Sequence, residues 1–259
     1  MNDPQFGNAR KYARRGHKTV GGWLTASAAE TIVTLATVQA RLGIVGGACE
    51  IGVYHGKLFI LLYHLLQPTE RALAIDLFAN DEYGQDLRAQ FQRNLARHGA
   101  DPGRVSLIAE NSMRLSSQQV RATVGPVRLF SVDGGHSAEE TANDLSIGAG
   151  SLTEGGLLIL DDFFNCEWPA VSEGTCRFMA GNRQLSPVAI VGSRFIFSSG
   201  SADAYRTALS GPTTAVFGQP VVTVPSPTLR QSLKETSLWK AIRHRPLGGW
   251  ARRGLNWLN

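Results

Sequence analysis

Cysteine is scarce in this chain: three in 259 residues, with no CxxC or CxxH pair. Cys49, Cys166 and Cys176 therefore offer neither a disulfide framework nor a zinc site, and read as reduced thiols of a cytoplasmic protein. Long apolar runs are missing too. The longest, Leu58 to Leu66, is interrupted by Tyr63 and His64 and is too short to span a bilayer. The N-terminus is polar and basic and lacks the apolar centre of a signal peptide. No internal repeat, no GxGxxG dinucleotide fingerprint and no Asn/Asp-Pro-Pro-aromatic motif occurs. Charged residues are only 18% against 43% hydrophobic, an ordinary globular profile at a length that suits one α/β core.

The net charge of +5 is unevenly placed. Arg10, Lys11, Arg14, Arg15 and Lys18 crowd the first eighteen residues. Seven more Lys/Arg lie between Arg230 and Arg253. The stretch between is acidic, with nineteen Asp/Glu against fourteen Lys/Arg. A nucleic-acid enzyme is expected to carry its basic surface on the folded domain, so no nucleic-acid partner is expected. The tail from Leu238 to Trp257 mixes Trp with Arg. It is a candidate for an anionic membrane surface or a glycan, or for packing on its own domain or a dimer mate.

What is present is alternation. Short apolar runs at 46–51, 72–77, 104–109, 127–132 and 156–160 predict strands, and amphipathic stretches at 57–66, 84–98, 116–123, 138–148 and 168–180 predict helices. Capping boxes at Ser27–Glu30 and Ser137–Glu140 mark two helix starts. Two β-like runs around Gly192-Ser193, within 188–197, predict an antiparallel hairpin. Residues 1–22 read as a flexible or helical basic arm, 23–200 as the main domain and 201–259 as a C-terminal extension, with the Pro-, Gly- and Thr-rich 211–227 as a linker or irregular segment. Strands alternating with helices imply a doubly wound α/β sheet, mostly parallel, of seven strands counting the hairpin.

Three groups of residues carry chemistry. Glu50-Ile-Gly52-Val-Tyr54-His-Gly56 ends the first strand, with glycines where the backbone turns tightly or approaches a ligand. Asp76 ends the second strand, 26 residues after Glu50, and either holds a ribose diol or caps a helix. Asp133, Asp161 and Asp162 end the fourth and fifth strands. Three convergent carboxylates repel one another unless a cation lies among them, and oxygen ligands favour Mg²⁺ or another hard divalent ion. The bland alternative makes Asp133 a helix cap and Asp161-Asp162 the start of a solvated loop. Trp168, Phe163 and Phe164 either wall an acceptor site or pack in the core. Asp144 reads as a structural carboxylate.

From about Ala48 to Phe178 the chain resembles class I S-adenosylmethionine (SAM) methyltransferases of Rossmann-like fold, most closely the metal-dependent O-methyltransferases of small molecules. Val132-Asp133-Gly-Gly135-His136-Ser-Ala-Glu-Glu140, Gly155-Gly-Leu-Leu-Ile-Leu-Asp161-Asp162-Phe163 and Trp168-Pro-Ala-Val-Ser-Glu173 are similar to the macrocin/mycinose-type sugar branch. The resemblance implies that Glu50, Gly52 and Gly56 cradle the methionine part of SAM with Tyr54 packed beside it. It also implies that Asp76 holds the ribose, that Asn111 and Ser112 lie near the adenine, and that Asp133, Asp161 and Asp162 bind the metal. His136 stands three residues after the first metal aspartate, where the catechol branch has a lysine base. Gly135 stands where the sugar branch often has an aspartate.

The expected reaction follows from these parts. A metal bound by the acidic triad lowers the pKa of an acceptor hydroxyl. His136, with an imidazole's ordinary pKa near ~6.5, either takes the proton or orients an aspartate. The hydroxyl then attacks the SAM methyl in line, with inversion. The expected acceptor is a sugar or glycosylated small molecule, with a catechol or phenol as the near alternative. A SAM-binding assembly partner without catalysis is the alternative of a different class, and the arm and tail are candidates for joining subunits into a homo-oligomer.

Overall fold

The computed structural model describes residues 6–79 and 86–226. Five strands run parallel: β1 (Gly47–Ile51), β2 (Ala72–Asp76), β3 (Val105–Ala109), β4 (Val127–Val132) and β5 (Leu152–Leu160). The hairpin of β6 (Ser186–Val191) and β7 (Arg194–Ser198) follows, with β7 antiparallel to β5. A second hairpin, β8 (Thr213–Val216) and β9 (Gln219–Thr223), adds to the far edge through β9. The order is β3-β2-β1-β4-β5-β7-β6-β9-β8. The doubly wound, mostly parallel sheet is thus as expected, but it has nine strands rather than seven. The stretch read as a linker supplies the extra pair.

Helices cover both faces. On one lie α1 (Gly7–Arg14), α2 (Ala26–Arg41), α3 (Lys57–His64) and α4 (Leu87–Arg97), whose apolar residues join Ala48, Ala74, Leu129 and Ile159 in one cluster. On the other lie α5 (Ser117–Val124), α6 (Ala138–Ser151) and α7 (Pro169–Gly181), packed on Ile51, Leu73, Phe130 and Leu158. The short α8 (Ala202–Thr207) buries Tyr205 on the α2 side. Successive strand residues alternate between the two clusters, as the period of two requires. The described part of the N-terminal arm is helical and packed: Phe6, Ala9, Tyr12 and Ala13 are all in the core. Residues up to Val224 form one compact unit. The Trp- and Arg-bearing tail lies outside the described residues, and no described helix is long and apolar enough to cross a membrane.

Two caps refine the sequence reading. Ser137 and Glu140 form the expected capping box at α6. The other box does not form. Thr25 caps α2 instead, its hydroxyl accepting from the Ala28 amide at 3.2 Å, which places Ser27 in the first turn. A capping box between Ser116 and Gln119 opens α5.

A buried ionic knot joins the layers below the sheet's working edge. Arg128 on β4, 1% exposed, donates to both Glu70 carboxylate oxygens, to Gln39 Oε1 of α2 at 2.9 Å and to the Leu65 carbonyl at the end of α3. Its charge is fully partnered, so the pair tolerates burial, but removing one member strands the other. Arg128→Met is expected to lower unfolding free energy by about 3–5 kcal/mol in urea titrations. Acid should loosen the α1 side. Burial and His98 push the His64 pKa down to about 4, so folded His64 stays neutral where the unfolded chain takes a proton. Its stabilising contribution is full above pH ~6.5 and is lost as pH falls toward 4. His64→Gln should flatten the fall in melting temperature across that window.

Candidate active site

The carboxyl ends of β1, β2, β4 and β5 open on one edge, and the loops there are stitched together. Gly52 N donates to the Ile75 carbonyl (2.8 Å), Asp133 N to Ile51 (2.9 Å) and Asp161 N to Val132 (3.0 Å). Gly52 has φ +83°, and a methyl group on it would collide with the Asp133 carbonyl, so only glycine fits there. The loops enclose a cavity of about 710 Å³, within the usual range for a small-molecule site.

Most of the expected residues meet in this cavity. Gly52, Tyr54, Asp76, Asn111, Ser112, Asp133, His136, Asp161 and Asp162 all line it, with Trp168 beside His136. Two do not. Gly56 caps α3 in the left-handed region, against Phe91. Glu50 is buried below the loop, 2% exposed, with Oε2 lacking any partner. Burial, and then the Asp133 charge, push its pKa well up. Phe163 belongs to the core and Phe164 is exposed, so of the three aromatic candidates only Trp168 walls the cavity. Asp144 is buried on α6, its pKa raised to about 6 by burial, and does not line the cavity.

Asp76 works from both oxygens: Oδ2 accepts the Tyr54 amide (3.0 Å) and Oδ1 the Phe78 amide (2.8 Å). An ionised carboxylate has about four acceptor positions, so two remain for a ligand's hydroxyls. Tyr54, itself at φ +46°, stacks on His55 at 3.8 Å and lies 5.6 Å from Trp23. Asn111 caps a short helical turn by accepting the Met113 amide, which fixes the Asn111-Ser112 edge.

The acidic end departs from the sequence reading. Asp161 is 6% exposed and already committed. Arg194 of β7 pairs with its Oδ2, while Ser193 Oγ (2.7 Å) and the Asp162 amide (2.8 Å) donate to Oδ1. The ligand atoms that gather within 4.8 Å of one another belong to Asp133, His136 and Asp162. His136 Nε2 lies 3.2 Å from Asp162 Oδ2, and its ring stacks on Trp168 at 4.3 Å. Asp162 is held at φ +60°, a costly conformation for a residue with a side chain, and Asn165 donates to its Oδ1 at 2.9 Å. Burial and the Asp161 charge push the Asp133 pKa well up. A carboxylate cluster in that state gains from a cation, so the residues fit one, but as Asp133, Asp162 and His136 in place of the all-aspartate triad.

Sequence reasoning missed Arg194. The one signal was a charged residue inside the apolar 188–197 run. It is 3% exposed and ties two regions together, since its guanidinium also donates to the Trp23 carbonyl at 2.5 Å. Lys57 Nζ donates to the neighbouring Gly22 carbonyl at 2.7 Å. The segment after α1 is thereby fastened to the cavity wall, where Trp23 lines it. Glu110, Glu140 and Glu167 also line the cavity, which among the described residues has seven carboxylates and no Lys or Arg.

Residues 49–163 match the family model described as a methyltransferase domain. Solved structures share the fold. The O-methyltransferase NovP is similar with a TM-score of 0.57 and 16% identity, over 67% of this chain and 80% of its own. CalS11, a TDP-rhamnose 3'-O-methyltransferase of calicheamicin biosynthesis, gives 0.51 and 15%, over 76% and 96%. An O-methyltransferase from Bacillus cereus in complex with SAH gives 0.50 and 16%, over 76% and 91%. A search of the curated proteins finds no match.

The Arg194–Asp161 pair gives a direct prediction. Arg194→Met leaves Asp161 buried and unpaired, and is expected to cost about 3–5 kcal/mol of stability. Adding Asp161→Asn should recover much of that loss, because the stranded charge is gone. A double-mutant cycle by urea denaturation measures the coupling.

Proposed function

We propose that the domain is a SAM-dependent O-methyltransferase that acts, with help from a divalent cation, on a hydroxyl of a neutral sugar or glycosylated small molecule. The observation that carries this reading is the meeting, in one cavity, of Asp76, which has acceptor positions to spare, with the close group Asp133, His136 and Asp162. SAM supplies an already activated methyl group, so the chain's task is to bind, orient and deprotonate.

Asp76 has the spare acceptor capacity for ribose hydroxyls. Asn111 and Ser112 offer an edge for the adenine, and Tyr54 a face for the methionine chain. The acidic lining favours a cationic sulfonium. A hard divalent ion held by Asp133, Asp162 and His136 supplies Lewis acidity that lowers an acceptor hydroxyl's pKa. The two carboxylates suit Mg²⁺ or Mn²⁺, and the imidazole in the set also admits a softer ion such as Fe²⁺ or Zn²⁺. Trp168 braces the His136 ring and gives the acceptor an apolar wall. With no Lys or Arg among the described lining residues, the cavity suits a neutral acceptor better than a diphosphate-linked one.

The His136–Asp162 contact favours a second reading, in which no metal takes part. Asp162 then orients the imidazole and leaves its other ring nitrogen to accept the proton. A catechol or phenol remains the near alternative acceptor, and Trp168 suits it equally. Metal dependence separates the mechanisms. Turnover of SAM on a panel of glycosides and diols should fall by about a hundredfold or more with EDTA, return with Mg²⁺ or Mn²⁺, and be lost in Asp162→Ala. Turnover that ignores EDTA but is lost in both His136→Ala and Asp162→Ala establishes the dyad. SAH binding without turnover on any acceptor counts against both.

A further inference from the structure

On the α1 side a second cavity of about 870 Å³ shares no residue with the first. One wall is α1 and the residue that ends it, through Lys11, Tyr12 and Arg15. The facing wall is the ends of α3 and α4, through His64, Arg97 and His98, and Arg104 closes the floor. We propose that this groove is a binding site for a phosphate or diphosphate group, separate from the methyl-transfer site.

Charge balance decides the ligand's sign. Four cations line the groove and no carboxylate does. The C-terminal ends of α1, α3 and α4 converge here, and each brings roughly half a negative charge, which leaves a clear positive surplus. Asp101, the acid nearest in sequence to Arg104, turns its Oδ1 to the Gly103 amide (2.9 Å). Among the described residues no acid pairs with Lys11, Arg15 or Arg97.

The groove is also built to hold a shape. Arg104 donates to the backbone carbonyls of Gln67 at 2.5 Å and Glu70 at 2.9 Å, and lies 5.5 Å over the Tyr63 ring, so its charge is fixed in place. Tyr12 is anchored by donating to the Lys57 carbonyl (2.8 Å) and packs edge-on to His98 at 5.0 Å. His64 and His98 have pKa values lowered by burial and by neighbouring positive charge. His98 spends its N–H on Thr19 Oγ1 (3.1 Å), whose hydroxyl in turn donates to the Gly16 carbonyl (2.8 Å), which leaves His64 as the neutral imidazole that can give an N–H to an anion. Lys11, Arg15 and Arg97 are exposed at the rim and free to close on it, the arrangement that makes charge-assisted hydrogen bonds to phosphate oxygens.

The same phosphate chemistry occurs on a soluble metabolite and on a lipid headgroup, and the test separates them. The full chain is titrated calorimetrically with pyrophosphate at constant ionic strength, with chloride as the control. A parallel arm measures co-sedimentation with phosphatidylcholine vesicles that contain phosphatidic acid. Saturable pyrophosphate binding is expected with Kd below about 1 mM, and Lys11→Glu or Arg97→Glu should weaken it about tenfold or more. Both positions are exposed, and unchanged SAH affinity in the variants shows that the fold is kept. The milder Lys11→Gln and Arg97→Gln serve if a reversal misfolds. Pyrophosphate binding without vesicle binding assigns a soluble phosphorylated ligand, and binding to both, lost in the variants, assigns a headgroup. Absence of saturation, equal heats with chloride, or pyrophosphate binding unchanged by the substitutions overturns the site. Vesicle binding alone that survives them overturns it equally.

Discussion

The buried ion pair between Arg194 and Asp161 is the constraint on which the working edge of this sheet depends. Asp133, Asp161 and Asp162 end adjacent strands, and a buried Glu50 lies nearby. That much negative charge at one sheet edge is costly unless it is offset. Arg194 faces Asp161 one position beyond the last paired residues of β5 and β7, Leu160 and Phe195. It neutralises one carboxylate from inside the protein. The other two gather with His136, their side-chain atoms within 4.8 Å of one another, and the same guanidinium holds the Trp23 carbonyl. The β6–β7 hairpin thus also sets which carboxylates remain available.

The rest of the site follows from topology. The strand order reverses direction between β1 and β4, and a doubly wound sheet opens its crevice at such a point. Gly52 lets the β1 loop pass against the Asp133 backbone, so the Asp76 end and the acidic end become one cavity. The N-terminal segment closes the wall through Gly22 and Trp23, although α1 itself packs on the opposite side from the acidic cluster's helices.

Much of this was legible in the residues. β1 to β4 appear within about a residue of their predicted limits, because apolar runs bounded by Gly, Asp and Arg leave few options. Convergence of the Gly52 loop with Asp76, and of Asp133 with Asp161 and Asp162, followed once a parallel sheet was inferred, while His136 entered through the resemblance. Other features depend on distant partners. Nothing local says that Arg194 faces Asp161, 33 positions away. β8 and β9 hide behind Pro212, Gly218 and Pro220, and Thr213–Ala215 are exposed, so no alternation marks them. Thr25 takes the cap from Ser27 because both hydroxyls lie at the start of α2 and only the chain's entry path chooses between them. His136, and not Asp161, gathers with Asp133 and Asp162 for the same reason: the sequence shows three aspartates, and the fold pairs one of them with Arg194.

The central claim is that Asp161 belongs to Arg194, and that the cation set is Asp133, Asp162 and His136. Anomalous scattering from crystals grown with Mn²⁺ and SAH tests it most directly. One peak bounded by Asp133, His136 and Asp162, with the Arg194–Asp161 pair intact, is the predicted result. A peak on Asp161 with Arg194 displaced, or no peak at all beside bound SAH, would contradict it.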